Sequence, residues 1–140
     1  MVRFSNGDDA FELTLASDGN SEPQMGADAY LTVAVNSNGF AGHNDLWVVG
    51  PSLRSFCSKL VELERTLRGE ATLKSISPNE LTLVVSSVTS RGNIAVHGTT
   101  GYEVQRENSA FWHSVSFGFE FEVAQLSRAV ALPWFKRYAG

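Results

Sequence analysis

Residues 51–69, PSLRSFCSKLVELERTLRG, decide how the rest of the chain is read. Leu53, Phe56, Cys57, Leu60, Leu63, Glu64 and Leu67 follow the i, i+3, i+4, i+7 spacing, so the apolar members share one stripe. Val61 widens that stripe, and Arg54, Ser55, Ser58, Lys59, Glu62, Arg65, Thr66 and Arg68 fill most of the remaining surface. Pro51 suits a first helical turn, where its missing N–H costs nothing, and Ser52 is an alternative cap. Gly69 is the natural stop, with Arg65 and Arg68 opposing the negative end of the helix dipole. The spacing therefore predicts a helix over about 51–68. A helix with one apolar stripe must bury it, and only the flanking strands offer enough surface.

Those strands are read from period-2 alternation. Phe11, Leu13 and Leu15 alternate with Glu12 and Thr14. Residues 17–27, SDGNSEPQMGA, read as a loop. Ala29, Leu31, Val33 and Val35 give a second strand, and NSNG at 36–39 a tight turn, because Asn and Gly tolerate positive φ. A third strand is expected around Asp45–Val49. After the helix, strands are expected over Glu70–Ile76, Leu81–Thr89 and Ile94–Gly98, with turns at 77–80 and 90–93 and a short irregular strand around Tyr102–Val104. In the last strand Phe111, His113, Val115, Phe117, Phe119 and Phe121 share one face, expected to be a core wall under the helix. Trp112, Ser114, Ser116, Gly118, Glu120 and Glu122 share the other. Residues 123–132, VAQLSRAVAL, suit a short C-terminal helix ended by Pro133. The expected fold is α+β: a curved antiparallel meander packed around one central helix, in a single domain spanning 1–140.

Composition narrows the function classes. A 43% apolar and 19% charged chain of 140 residues with nine Phe is long enough to close a core and too aromatic for disorder. No apolar run approaches the roughly 20 residues that span a bilayer, and MVRFSNGDDA lacks the apolar segment of a secretory signal. Cys57 has no partner cysteine, which excludes an internal disulfide and points to a reducing, cytoplasmic setting. The net charge of −4 is uneven. Residues 1–50 carry seven acids against Arg3 alone, a net of −6, whereas 51–140 carry ten Lys or Arg against eight acids, a net of +2. With neither a basic stripe nor a motif, neither nucleic acid nor a membrane is an expected partner. A basic protein partner is compatible with the acidic first third.

No residue cluster in the sequence points to catalysis. His43, His97 and His113 are too scattered for a metal site by spacing, His43 and Asp45 alone are too few, and no cofactor motif is present. Cys57 sits mid-stripe, where a thiol is inert. Glu120 and Glu122, about 7 Å apart on one strand face, read as solvated carboxylates. Surfaces are more informative. The candidate partner contacts are Asp8, Asp9 and Glu12 in the acidic segment, Trp112, Glu120 and Glu122 on the lightly decorated strand face, and Trp134 in the PWFKRY tail. Trp is favoured at interface centres. Trp134, with Phe135 and Tyr138, either seals the core edge or presents an aromatic, basic anchor.

One ordered set of residues goes beyond generic pattern. Gly39-Phe40 and Asp45-Leu46-Trp47-Val48 lead into the helix; Gly69-Glu70-Ala71-Thr72-Leu73, Ser77-Pro78 with Glu80-Leu81, and Phe117-Gly118-Phe119-Glu120-Phe121 follow. Across roughly residues 30–127 this order resembles a family of small bacterial proteins that includes the WapI-like immunity proteins. The acidic N-terminal segment and the PWFKRY tail depart from it. The resemblance implies a non-catalytic binding protein that neutralises a cognate toxin inside the producing cell, the toxin being a basic nuclease in many such systems. Two other readings stay open: a small-ligand-binding domain or enzyme using a concave sheet face, and a structural homodimer joined through Trp112 or the tail.

Overall fold

A computed structural model describes residues 1–16, 27–89 and 91–140. Four strands come first: β1 (Val2–Asn6), β2 (Asp9–Leu15), β3 (Ala29–Ser37) and β4 (Phe40–Val48). Helix α1 (Gly50–Thr66) follows, then β5 (Glu70–Lys74), β6 (Leu81–Ser87), β7 (Asn93–Gln105) and β8 (Ala110–Glu122), and finally α2 (Val123–Val130) and α3 (Pro133–Ala139). The fold is α+β with antiparallel pairing throughout, as the alternation predicts. Among the described residues eight strands divide into two four-stranded meanders, β1-β2-β3-β4 and β5-β6-β7-β8, with α1 between them in sequence. The expected loop at 17–27 lies, but for Ala27, outside the described residues, as does Ser90 of the expected 90–93 turn.

Local chemistry explains most of the boundaries. Asn38 and Gly39 take φ of 51° and 84°, the paired positive values of a two-residue hairpin turn, and close Ser37 onto Phe40. Helix α1 starts at Gly50 with Val49 as N-cap and no side-chain cap, so Ser52 plays no capping part. The helix stops before Gly69, because Leu67 itself turns left-handed at φ 57° and donates its N–H to Leu63 O at 2.8 Å. Pro133 does more than end α2: it opens α3, where its fixed φ is already helical.

The stripe of α1 is buried through Leu53, Phe56, Cys57, Leu60 and Leu63. It packs on β5 and on the C-terminal helices, which contribute Leu126, Ala129, Phe135 and Tyr138 to the same core. Ser127 Oγ of α2 donates to Glu64 Oε1 at 3.0 Å, which accounts for an acid beside the stripe.

The apolar face of β8 packs elsewhere than expected. It lies on the first sheet instead of under α1: Phe121 stacks on Phe4 of β1 with ring centroids 4.2 Å apart, and Phe117 stacks on Phe11 of β2 at 5.4 Å. Val115 lies so close to β4 that a Cβ at Gly42 would come within 2.6 Å of its Cγ1. Within six residues β8 thus passes from β1 to β4, transverse to the strands of the first sheet. Four strands span only about 14 Å between outer axes, whereas thirteen extended residues reach about 43 Å. The first sheet can therefore cover only part of β8. Phe111 and His113, expected in the core wall, are exposed for this reason.

Strand β7 also departs from expectation. The sequence suggests a break after Gly98, yet one strand runs from Asn93 to Gln105. The glycines permit it. A Cβ at Gly98 would lie 2.0 Å from the backbone oxygen of Thr82, so that only glycine fits where the two strands close in.

The rims of the two sheets are tied by polar groups. Asn44, buried on β4, donates through Nδ2 to Gly101 O at 2.9 Å and Thr100 Oγ1 at 3.2 Å, and lies 3.3 Å from Glu80 O. At the other rim the Gln125 side chain mimics a strand residue. It accepts from Ser5 N–H at 2.7 Å and donates to Ser5 O at 2.8 Å, which satisfies the open edge of β1.

Two glycine substitutions separate backbone crowding from side-chain crowding. Gly98→Ala meets an immovable carbonyl and is expected to cost at least about 3 kcal/mol, the upper range for overpacking. Gly42→Ala meets a valine methyl that can turn away and is expected to cost about 1 kcal/mol. Urea unfolding midpoints of the two variants and the parent check the order.

Candidate functional site

The overhang of β8 and the outer half of β7 form an arm. Beyond Gly101 the paired residues are Tyr102 with His113, Glu103 with Trp112, Val104 with Phe111 and Gln105 with Ala110, and Arg106 N–H closes the tip onto Ser109 O at 2.7 Å. Tyr102, Phe111 and Trp112 are 46%, 55% and 47% exposed. The Trp112 indole lies across Gly101, where a Cβ would stand 2.9 Å from Nε1. Between the arm and β4 runs a cleft of about 270 Å³, lined by His43, Asn44, Tyr102 and His113 among others.

A second surface is the outer face of the first sheet. Tyr30 and Trp47 are directly opposed, their rings 4.8 Å apart and tilted by 55°, and Trp47 is 52% exposed. Thr32 Oγ1 donates to Asp45 Oδ1 at 2.7 Å on the same face. Arg3 and Glu12 form an ion pair across β1 and β2. Where this face meets the β5–β6 turn, Asp28, Tyr30, Asp45, Trp47, Ile76 and Glu80 line a groove of about 540 Å³.

The candidate contacts named from sequence are spread over several places. Asp8 and Asp9 lie at the β1–β2 turn beside Asn36, Asn38 and Gly39, and Asp9 Oδ1 accepts from Ser37 Oγ at 2.9 Å. Glu12 is held by Arg3 on the outer face. Trp112 sits on the arm. Glu120 and Glu122 are exposed near the base of β8, opposite Ala95 and Asn93, and Glu122 is about 33 Å along the strand from Trp112 by extended-chain geometry. Trp134 is half-buried in α3, edge-on to Phe135 at 5.7 Å and Tyr138 at 6.3 Å, both of which are buried. The two surfaces use residues absent from that set: Tyr102 and Phe111 on the arm, Tyr30 and Trp47 on the sheet. Strict alternation of Trp47 with Leu46 and Val48 was the signal that would have exposed the last.

The groups with intrinsic reactivity are dispersed. Cys57 is fully buried, and burial pushes its thiol up to about 12, so that it holds no thiolate near neutrality. Tyr138 is likewise raised, first by burial and then by the nearby Cys57 charge. His43 lines the arm cleft, Asp45 the other groove, and His97 stands opposite Gly118 on the far sheet. Among the described residues no group of three or more His, Cys, Asp or Glu is placed to hold a metal ion, and no helix is long and apolar enough to cross a membrane. Comparison with protein-family models, with curated proteins and with solved structures finds no match to this chain.

The raised thiol has a measurable consequence. Its proton is retained in the folded state after an unfolded thiol, near 9, has lost it, so the folded state binds more protons between about 9 and 12. That stabilising contribution is complete below pH 9 and is lost as pH rises toward 12. Stability should fall by roughly 1 kcal/mol per pH unit over the middle of this window. In Cys57→Ala the slope should be visibly shallower, with Tyr138 supplying the remainder. Urea titrations at stepped alkaline pH measure both.

Proposed function

We propose that this chain is a non-catalytic binding protein of the immunity type, acting in the cytoplasm of a bacterial cell by direct contact with a cognate toxin. The observation that carries the proposal is the arm. Apolar surface that could have been buried is held out beyond the core, on a hairpin braced at its base by the Asn44 contacts to Thr100 and Gly101. Rigid, exposed aromatics of this kind are what interface centres are made of, since they bring large contact area with little side-chain entropy to lose. The ordered residues from Gly39 to Phe121 that resemble the WapI-like immunity proteins support the same reading. The acidic outer face of the first sheet suits a basic partner and would speed its capture.

Co-expression with the toxin domain encoded immediately upstream tests the proposal. The expected result is co-purification and restored growth; a toxin that is present yet neither bound nor neutralised overturns it. Phe111→Ala combined with Tyr102→Ala, which share one face of the arm, should weaken the complex by about 30-fold or more, the effect of losing one interface hot spot. The same pair should leave folding stability within about 0.5 kcal/mol per site, because both side chains are solvated.

A further inference from the structure

We propose that the groove between the first sheet and the β5–β6 turn receives an arginine side chain from a basic segment of the partner protein. This inference rests on the reading above that the partner is a protein, and it adds the chemistry of one contact.

The groove is built from three kinds of surface. Its floor is the Tyr30–Trp47 pair, an exposed aromatic face fixed by direct cross-strand register. Its walls carry the carboxylates of Asp28, Asp45 and Glu80, while Ile76 supplies an apolar flank. A planar guanidinium stacks on an aromatic ring and forks its N–H groups to carboxylates, so that it uses floor and walls together. Register places the carboxylates suitably. Asp45 is two residues from Trp47 on the same strand face, hence about 7 Å along it. One of its oxygens accepts from Thr32, which orients the carboxylate, and among the described residues the second oxygen has no hydrogen-bond donor.

The groove is also rigid and electrostatically unfilled. The Ile76 N–H donates to Trp47 O at 2.9 Å, joining flank to floor. The backbone oxygen of Glu80 accepts from Thr100 Oγ1 at 2.7 Å and from Gly101 N–H at 3.2 Å, so its side chain springs from an anchored base. Among the described residues no lysine or arginine lines the groove. Along the same sheet Glu12 is neutralised by Arg3, and Asp8 and Asp9 lie at the far end beside Asn36 and Gly39, so the charge at the groove is that of its own carboxylates. A neutral or acidic occupant would leave the three wall carboxylates without a counter-charge. A cationic, flat one relieves them.

The test uses the full chain and an acetylated, amidated hexapeptide alternating arginine and glycine, alongside its lysine and citrulline counterparts. Two-dimensional NMR follows the Trp47 indole N–H and the amides of Tyr30, Thr32 and Asp45. The arginine peptide should shift these signals saturably, the lysine peptide should bind several-fold more weakly, and the citrulline peptide should not bind. Asp28→Asn, Asp45→Asn and Glu80→Gln together should weaken the arginine peptide at least ten-fold, as should Trp47→Leu alone. Shifts confined to the arm, or an affinity unchanged in either variant, overturn the inference. Equal affinity for lysine also overturns it, because charge alone would then explain binding. Failure here with toxin neutralisation intact sinks the groove and leaves the binding role standing; peptide binding without any toxin complex does the reverse.

Discussion

The crossing of β8 over the first sheet is the constraint on which the rest of the molecule depends. Each meander has one apolar face, which must be buried against another layer. Phe121 on Phe4 and Phe117 on Phe11 join the two faces by stacked aromatics, and the Gly42–Val115 approach closes the far side. Because the crossing is transverse, a single strand engages the first sheet from β1 across to β4. It fixes the two sheets against rotation about the contact as well as against separation. Helix α1 then covers the β5 side of the same apolar face of the second sheet, with α2 and α3 packed against it.

Transverse packing has a geometric cost that becomes the most distinctive feature of the surface. A strand laid along its partner can be covered for its whole length; one laid across is covered only for the partner's width. Beyond Val115 in the N-terminal direction β8 leaves the cover of the first sheet, while β7 pairs with it all the way to Gln105. The arm exists because of how the core is made. Asn44 shows that its root is specified: a buried amide at the rim of the first sheet satisfies groups on β7 at the point where the arm leaves the core. Removing this donor would strip Gly101 O of its side-chain bond, whereas Thr100 Oγ1 and Glu80 O would keep their bond to each other.

Helix and hairpin were legible in the sequence where local chemistry alone determines them. The α1 stripe is decided by spacing, and the Asn38-Gly39 turn by the tolerance of two residues for positive φ. What could not be read was which apolar faces meet. The alternation from Phe111 to Phe121 is uniform, and nothing in it marks that burial ends near Val115; that limit is set by the width of a sheet whose facing residue, Gly42, lies about seventy residues earlier in the chain. The continuity of β7 was hidden for a related reason. Glycine in a strand ordinarily signals interruption, but Gly98 is there because the Thr82 carbonyl leaves no room for a side chain. Of the seven contacts named from sequence, Trp112 stands on the arm and Glu12 on the outer face of the first sheet, whereas Trp134 is drawn half into the core by Phe135 and Tyr138.

Both surfaces converge on β4, and the period of that strand explains how. Asn44, Leu46 and Val48 point inward and are buried, so His43, Asp45 and Trp47 must point outward. His43 borders the cleft beside the arm, and two and four residues later Asp45 and Trp47 border the acidic groove. Along one strand the distance from the first to the last is about 13 Å, well within the footprint of an ordinary protein contact. A partner seated against the arm would therefore lie within reach of the groove without any change in this chain, and one strand, tied to the second sheet through Asn44 and Trp47 O, sets the spacing between the arm and the groove.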